Sequence, residues 1–246
     1  MWRPAIIPRG RMVWGESQMT PSETQALALM RAEAVPGQAA RMAARHRVPR
    51  LYLGTPNAVL DRLARQWRRE LDLPARLDLA AALWRSDVHE GRIVAAKLLT
   101  QARIRPDDRG AWGLIVGWVP QLDGRALADH AAAAGQRRLV ADPGRIETVA
   151  RWTDSAHMWT RRAALAMTLP WARLRHPGPV DTAIRERALG WAATHVADPD
   201  RFIQTSVAQW LRELSRRDPA RVAAFLEAHG DAMRPFARRE ATRHLP

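Results

Sequence analysis

The sequence predicts an all-α protein of stacked helix pairs, and three observations carry that prediction. Apolar residues fill 47% of the 246 positions, yet Ala and Leu dominate them and β-branched residues are few, which favours helix over strand. Helix-start signals recur along the chain, separated by apolar stretches of helical period, with no alternating strand pattern between them. A tryptophan–histidine element also repeats at a spacing of 68 residues, from Trp84 to Trp152, or about two units of 34.

Residues 1–19 carry no helical period and are expected as a flexible N-terminal extension, which leaves 20–246 as a single repeat domain. Thr20-Pro21-Ser22-Glu23 opens the first helix, with Thr20 as N-cap, Pro21 at the first helical position and Glu23 closing a capping box. The same device is expected at Thr55-Pro56-Asn57 and at the Asp-Pro pairs 142–143, 198–199 and 218–219. Asp accepts from the free first-turn amides there, and Pro needs no amide partner. About a dozen short helices follow from these starts.

"LWRSDVHEGRIVAAKLL" (83–99) lines up with "RWTDSAHMWTRRAALAM" (151–167). Trp84 matches Trp152, His89 matches His157, and Ala95-Ala96 match Ala163-Ala164; "DRFIQTSVAQWL" (200–211) is a weaker third copy. Such units form an α-solenoid in which each pair buries its apolar face against the next, and a long polymer would lie on its concave face.

The charge balance narrows the partners. Thirty-nine basic residues against 25 acidic give a net charge of +14, with Lys97 the single lysine, and place nucleic acid first. Cysteine is absent, which removes disulfides, thiolate metal sites and thiol nucleophiles. The apolar run 111–119 is too short to span a bilayer, and charges and prolines interrupt the N-terminus where a signal peptide needs an apolar core. A cytoplasmic protein without membrane contact is expected. None of the eight histidines has ligand spacing, and no phosphate loop or serine-nucleophile motif occurs, so neither metal nor cofactor is expected.

Arginines carry the remaining signal. Arg161 and Arg162 sit beside Trp159 at one helix start, Arg212 lies in the next main helix, and Arg238, Arg239 and Arg243 lie in the last. Presented from successive helices, they would neutralise a run of phosphates. Arg216, Arg217 and Arg221 read instead as outer-face charges paired with nearby carboxylates.

Four stretches resemble a known family: 51–64, 83–99, 151–167 and 202–245, with W-x-x-S/D-x-x-x-W-x-x-R-x-A, then F-I-Q, then L-R-E-x-S-x-x-D-P. They are similar to the HEAT-like-repeat DNA alkylation repair proteins, the alkylpurine DNA glycosylases of the AlkD type. The resemblance implies a C-shaped helical solenoid that cradles duplex DNA; double-stranded DNA, alkylated or not, is the expected partner, and a monomer is expected. It implies excision of N3- or N7-alkylated purines through contacts to backbone and sugar, without a flipped-base pocket. By that resemblance Asp129 takes the place of the catalytic aspartate, and Arg162 and Arg212 those of the cleft arginines. Three aromatic contacts are replaced: Arg45 stands for a tyrosine, Arg125 for the tryptophan four residues before the aspartate, and Gln209 for a second cleft tryptophan. Arg161 and Arg239 join the expected DNA contacts. An arginine at 125 would pair with Asp129 and add a phosphate contact. A non-catalytic paralogue that binds bent or branched DNA, or a helical-repeat scaffold for a protein partner, are the alternatives.

Overall fold

The computed structural model describes residues 20–245, so the expectation for residues 1–19 lies outside the described residues. Fourteen α-helices run through the described part, with no strand beyond one isolated bridge between Leu51 and Val88. The described residues form two compact units, one holding 20–42 and 51–98, the other 43–50 and 99–245.

The first unit holds α1 (Glu23–Ala32), the first part of α2 (Gln38–His46), α3 (Asn57–Glu70), α4 (Leu73–Arg85) and α5 (His89–Leu98). Helix α5 packs on both α3 and α4, and α1 packs on α4. The fully buried Glu90 fixes the turn before α3. Its carboxylate accepts from the backbone N–H of Leu53 at 2.9 Å, Gly54 at 2.7 Å and Thr55 at 3.3 Å. Gly54 holds φ at +84°, and a Cβ there would lie 2.8 Å from the Ala39 nitrogen, so the turn requires glycine.

The second unit holds α6 (Arg109–Trp118), α7 (Arg125–Ala141), α8 (Ile146–Ala150), α9 (Met158–Met167) and α10 (Leu169–Arg173), followed by α11 (Pro179–Thr194), α12 (Arg201–Ser215), α13 (Pro219–His229) and α14 (Pro235–Ala241). Four of these form a row in which α7 packs on α9, α9 on α12, and α12 on α14. Helices α6, α10 and α13 pack against members of that row. This is the helical-repeat stacking expected from the internal copies. Its core runs through Leu165, Leu189, Trp210, Leu214 and Phe225, all essentially buried. Gly135 sets the approach of α7 to α9, because a Cβ there would fall 2.3 Å from the Met167 sulfur.

Three helix starts differ from expectation. The capping box of α1 is Ser22 with Gln25, not Thr20 with Glu23. Ser22 satisfies the same spacing two residues later, and there both halves of the box close. Thr55 caps nothing; its hydroxyl donates to the buried Met30 carbonyl at 2.9 Å, and Pro56 precedes α3 without a side-chain cap. Helix α12 is capped by Asp200, whose carboxylate accepts from the Phe202 N–H at 2.6 Å. Asp198 instead accepts from the Asp200 N–H at 2.8 Å. The remaining two Asp-Pro starts behave as expected: Asp142 accepts from the Gly144 N–H, and Asp218 accepts from the Arg221 N–H at 3.0 Å.

Candidate nucleic-acid interface

The α7–α9–α12–α14 row brings most of the sequence-derived positions onto neighbouring helices. Asp129 lies on α7 one turn after Arg125, which places both on one helix face. Its Oδ1 accepts from Arg162 of α9 at 2.6 Å, and its Oδ2 lies 3.4 Å from Arg125 Nε. The Asp129 side chain is 48% exposed and that of Arg162 only 3%, so the pair reaches from the protein interior to solvent. Arg162 stacks 5.7 Å above the ring of Trp159, which itself lies 4.8 Å from Phe202. The Nε and second terminal nitrogen of Arg162 are buried without a hydrogen-bond partner among the described residues. One aspartate therefore carries the whole polar demand of that guanidinium.

Arg161, one residue earlier, has a different task. It donates to the Ser155 and Ala156 carbonyls at 2.8 and 3.0 Å and pairs with Asp198 at 3.1 Å, tying the start of α9 to the segment before α12. Arg212 on α12 bonds Glu240 of α14 and lies 3.2 Å from Glu213. Burial alone pulls the Arg212 pKa down, and the two carboxylates more than reverse it, so the net direction is upward. Burial pushes Glu213 up, and the guanidiniums of Arg173 and Arg212 bring it below the usual carboxylate range.

A hollow of about 600 Å³ opens beside these groups, bounded by Arg125, Arg201, Gln209, Arg212, Phe236 and Glu240. Arg125 connects the hollow to Asp129. Gln209 is half-buried on its wall, while Arg201 is exposed with its guanidinium 5.6 Å from the Phe236 ring. Arg239 of α14 and Arg45 of α2 are exposed and do not line the hollow. Sequence reasoning did not find Arg201, Phe236 or Glu240; the only local sign was their place near the third copy and in the last basic helix.

Many other arginines are already paired. Arg221 meets Glu186 at 2.6 Å, Arg216 lies 3.8 Å from Glu213, and Arg238 meets Asp231 at 2.9 Å. Arg138, with a side chain 1% exposed, pairs with Asp108 at 2.8 Å, and Arg145 reaches the same carboxylate at 2.5 Å. These hydrogen bonds, that from Arg145 foremost, hold the Asp108 carboxyl below its usual range despite burial. Such guanidiniums hold helices together, whereas Arg201, and Arg125 beside its partner Asp129, line the hollow with exposed side chains. Among the described residues no group of His, Cys, Asp and Glu could hold a metal ion, and no helix is long and apolar enough to cross a membrane.

The fold and this site together define an all-α helical-repeat protein that exposes a carboxylate between guanidiniums on one row of helices. A family model described as DNA alkylation repair enzyme matches residues 26–245, and the chain belongs to that family. No curated protein matches the sequence. Among solved structures, a predicted DNA alkylation repair enzyme from Enterococcus faecalis is similar at 20% identity and TM-score 0.71, covering 87% of this chain and 97% of its own. AlkD2 from Streptococcus mutans is similar at 17% identity and TM-score 0.59, with 84% of this chain and 97% of that chain covered. A further protein of Streptococcus mutans, smu.31, reaches 0.58 at 18% identity over 76% of this chain and 92% of its own. These likenesses establish the shared helical-repeat fold.

Proposed function

We propose that the chain binds duplex DNA along the α7–α9–α12–α14 row and excises N3- or N7-alkylated purines, with Asp129 as the catalytic carboxylate. One observation carries this reading: a half-exposed carboxylate is fixed by Arg162 at 2.6 Å and also meets Arg125, which lines a hollow with two further arginines. In the reaction the N-glycosidic bond breaks and its electron pair leaves with the alkylated purine, whose positive charge it neutralises. Positive charge develops on the sugar ring, water adds at C1′, and the water's proton is released. A carboxylate about 4 Å from that charge contributes about 4 kcal/mol at an effective dielectric near 20.

Arg125 opposes this contribution by a term of the same order as long as it stays on Asp129. Its side chain is 61% exposed, so a DNA phosphate can draw it off and leave the second carboxylate oxygen to the sugar. Arg162 then orients the aspartate and, with Arg45, Arg161, Arg212, Gln209 and Arg239, acts along the backbone of the duplex. The same Arg125 contact favours a second reading, in which the aspartate stays neutralised and the chain is a non-catalytic binder of bent or branched DNA.

Base release from a duplex carrying N7-methylguanine separates the two. The wild-type chain is expected to free the base, and Asp129→Asn to lose at least about a hundredfold in rate, the order seen when one electrostatic stabiliser is removed. Duplex affinity of that variant should stay within about twofold, because no phosphate contact is lost. Salt-dependent duplex binding with no release by the wild type would decide for the second reading. A scaffold for a protein partner would be indicated if Arg162→Ala and Arg212→Ala both left DNA affinity unchanged.

A further inference from the structure

The hollow beside Asp129 is shaped for something a fully paired duplex does not offer. Stacked base pairs present phosphates and groove edges but no free base face. The hollow combines cations with an aromatic floor. Phe236 is half-buried in it, and the guanidinium of the exposed Arg201 lies 5.6 Å from that ring. Gln209 is half-buried on the same wall, and Arg212 Nε is buried without a hydrogen-bond partner among the described residues. Glu240 adds an acceptor, and a volume of about 600 Å³ lies within the range of sites that hold a small molecule.

We propose that this hollow receives one extrahelical nucleotide of the bound DNA, an inference that rests on the duplex-binding reading above. Its base lies against Phe236 and the guanidinium of Arg201, since unstacked bases are held by aromatic rings and guanidinium planes alike. The carboxamide of Gln209 can both donate to and accept from the base edge, and Glu240 favours an edge that carries N–H donors. Arg125, at the mouth, takes the adjoining phosphate. The hollow thus departs from the family resemblance, which implies work without a base pocket.

The test uses 2-aminopurine placed as a single-nucleotide bulge, compared with the same duplex fully paired. The wild-type chain is expected to bind the bulged duplex about tenfold more tightly and to quench the probe on binding, as base–aromatic stacking does. Thr205 also lines the hollow; Thr205→Trp, which fills it, and Phe236→Leu, which removes the ring but keeps apolar volume, should each abolish the preference and the quench. Both should leave paired-duplex affinity within about twofold, since neither removes a cation. Circular dichroism checks that each variant folds, and either one alone suffices. Equal affinity for both duplexes with an unquenched probe overturns the nucleotide site while duplex binding stands. A preference that survives both variants overturns the placement in this hollow, and failure to bind either duplex overturns both readings.

Discussion

The two copies of the tryptophan–histidine element have the same helical template and opposite chemistry. In the first, α5 buries Ile93, Val94, Ala95 and Ala96 against its neighbours. In the second, α9 keeps the alanine pair buried at Ala163 and Ala164, but Arg161 and Arg162 occupy the positions of Ile93 and Val94. The acidic residue moves as well. Glu90 in the first copy is fully buried and satisfied by three backbone amides, whereas its counterpart in the second is Met158. The carboxylate facing Arg162 comes instead from another helix and stands half in solvent. Burying a guanidinium where a valine fits costs desolvation that one ion pair seldom outweighs. A position that gains nothing in stability from its arginine points to a ligand.

The largest expected effect lies in the first copy. Glu90→Ala leaves three buried N–H groups without their acceptor, and urea unfolding should show a loss of roughly 3–5 kcal/mol at about 1–3 kcal/mol per group, partly relieved by water. A loss below about 1 kcal/mol would mean that these amides find other acceptors, and the carboxylate would no longer count as structural. Next comes Arg162→Val, which writes the first copy's residue into the second. Stability should change by no more than about 1 kcal/mol, because Asp129 is exposed enough to stay solvated. Duplex affinity at moderate salt should fall about tenfold or more. If stability and affinity fall together, the contrast between a structural and a ligand-facing copy breaks down.

The smallest effect is a pH dependence in the second unit. His195, at the C-terminal cap of α11, is buried, and burial lowers its pKa while Asp198 partly restores it. A lowered folded value means that its contribution to stability is complete above the unfolded value of about 6.5 and is lost as the pH falls toward the folded one. Thermal midpoints should therefore be lower at pH 5.5 than at 7.5, with a flatter profile for His195→Gln. An unchanged slope in that variant would assign the acid sensitivity to other groups.

The sequence alone determined the helical class, the buried tryptophans and alanines, and the short helices announced by Asp, Ser and Pro. These follow from propensity and local hydrogen bonding, which act over a few residues and therefore leave a mark in the string itself. Even there, competition between adjacent caps moved the starts of α1 and α12 by two residues or so. The meeting of Asp129 with Arg162, across 33 residues, was legible only through family resemblance, since no spacing rule joins them. Which guanidiniums are held by carboxylates far along the chain, as Arg161, Arg212 and Arg138 are, and which line the hollow with exposed side chains, as Arg125 and Arg201 do, was decided by tertiary structure. A charge is neutralised by whatever carboxylate another helix brings within a few ångströms, and that distance is fixed by packing, as where Gly135 admits Met167, and not by order along the chain.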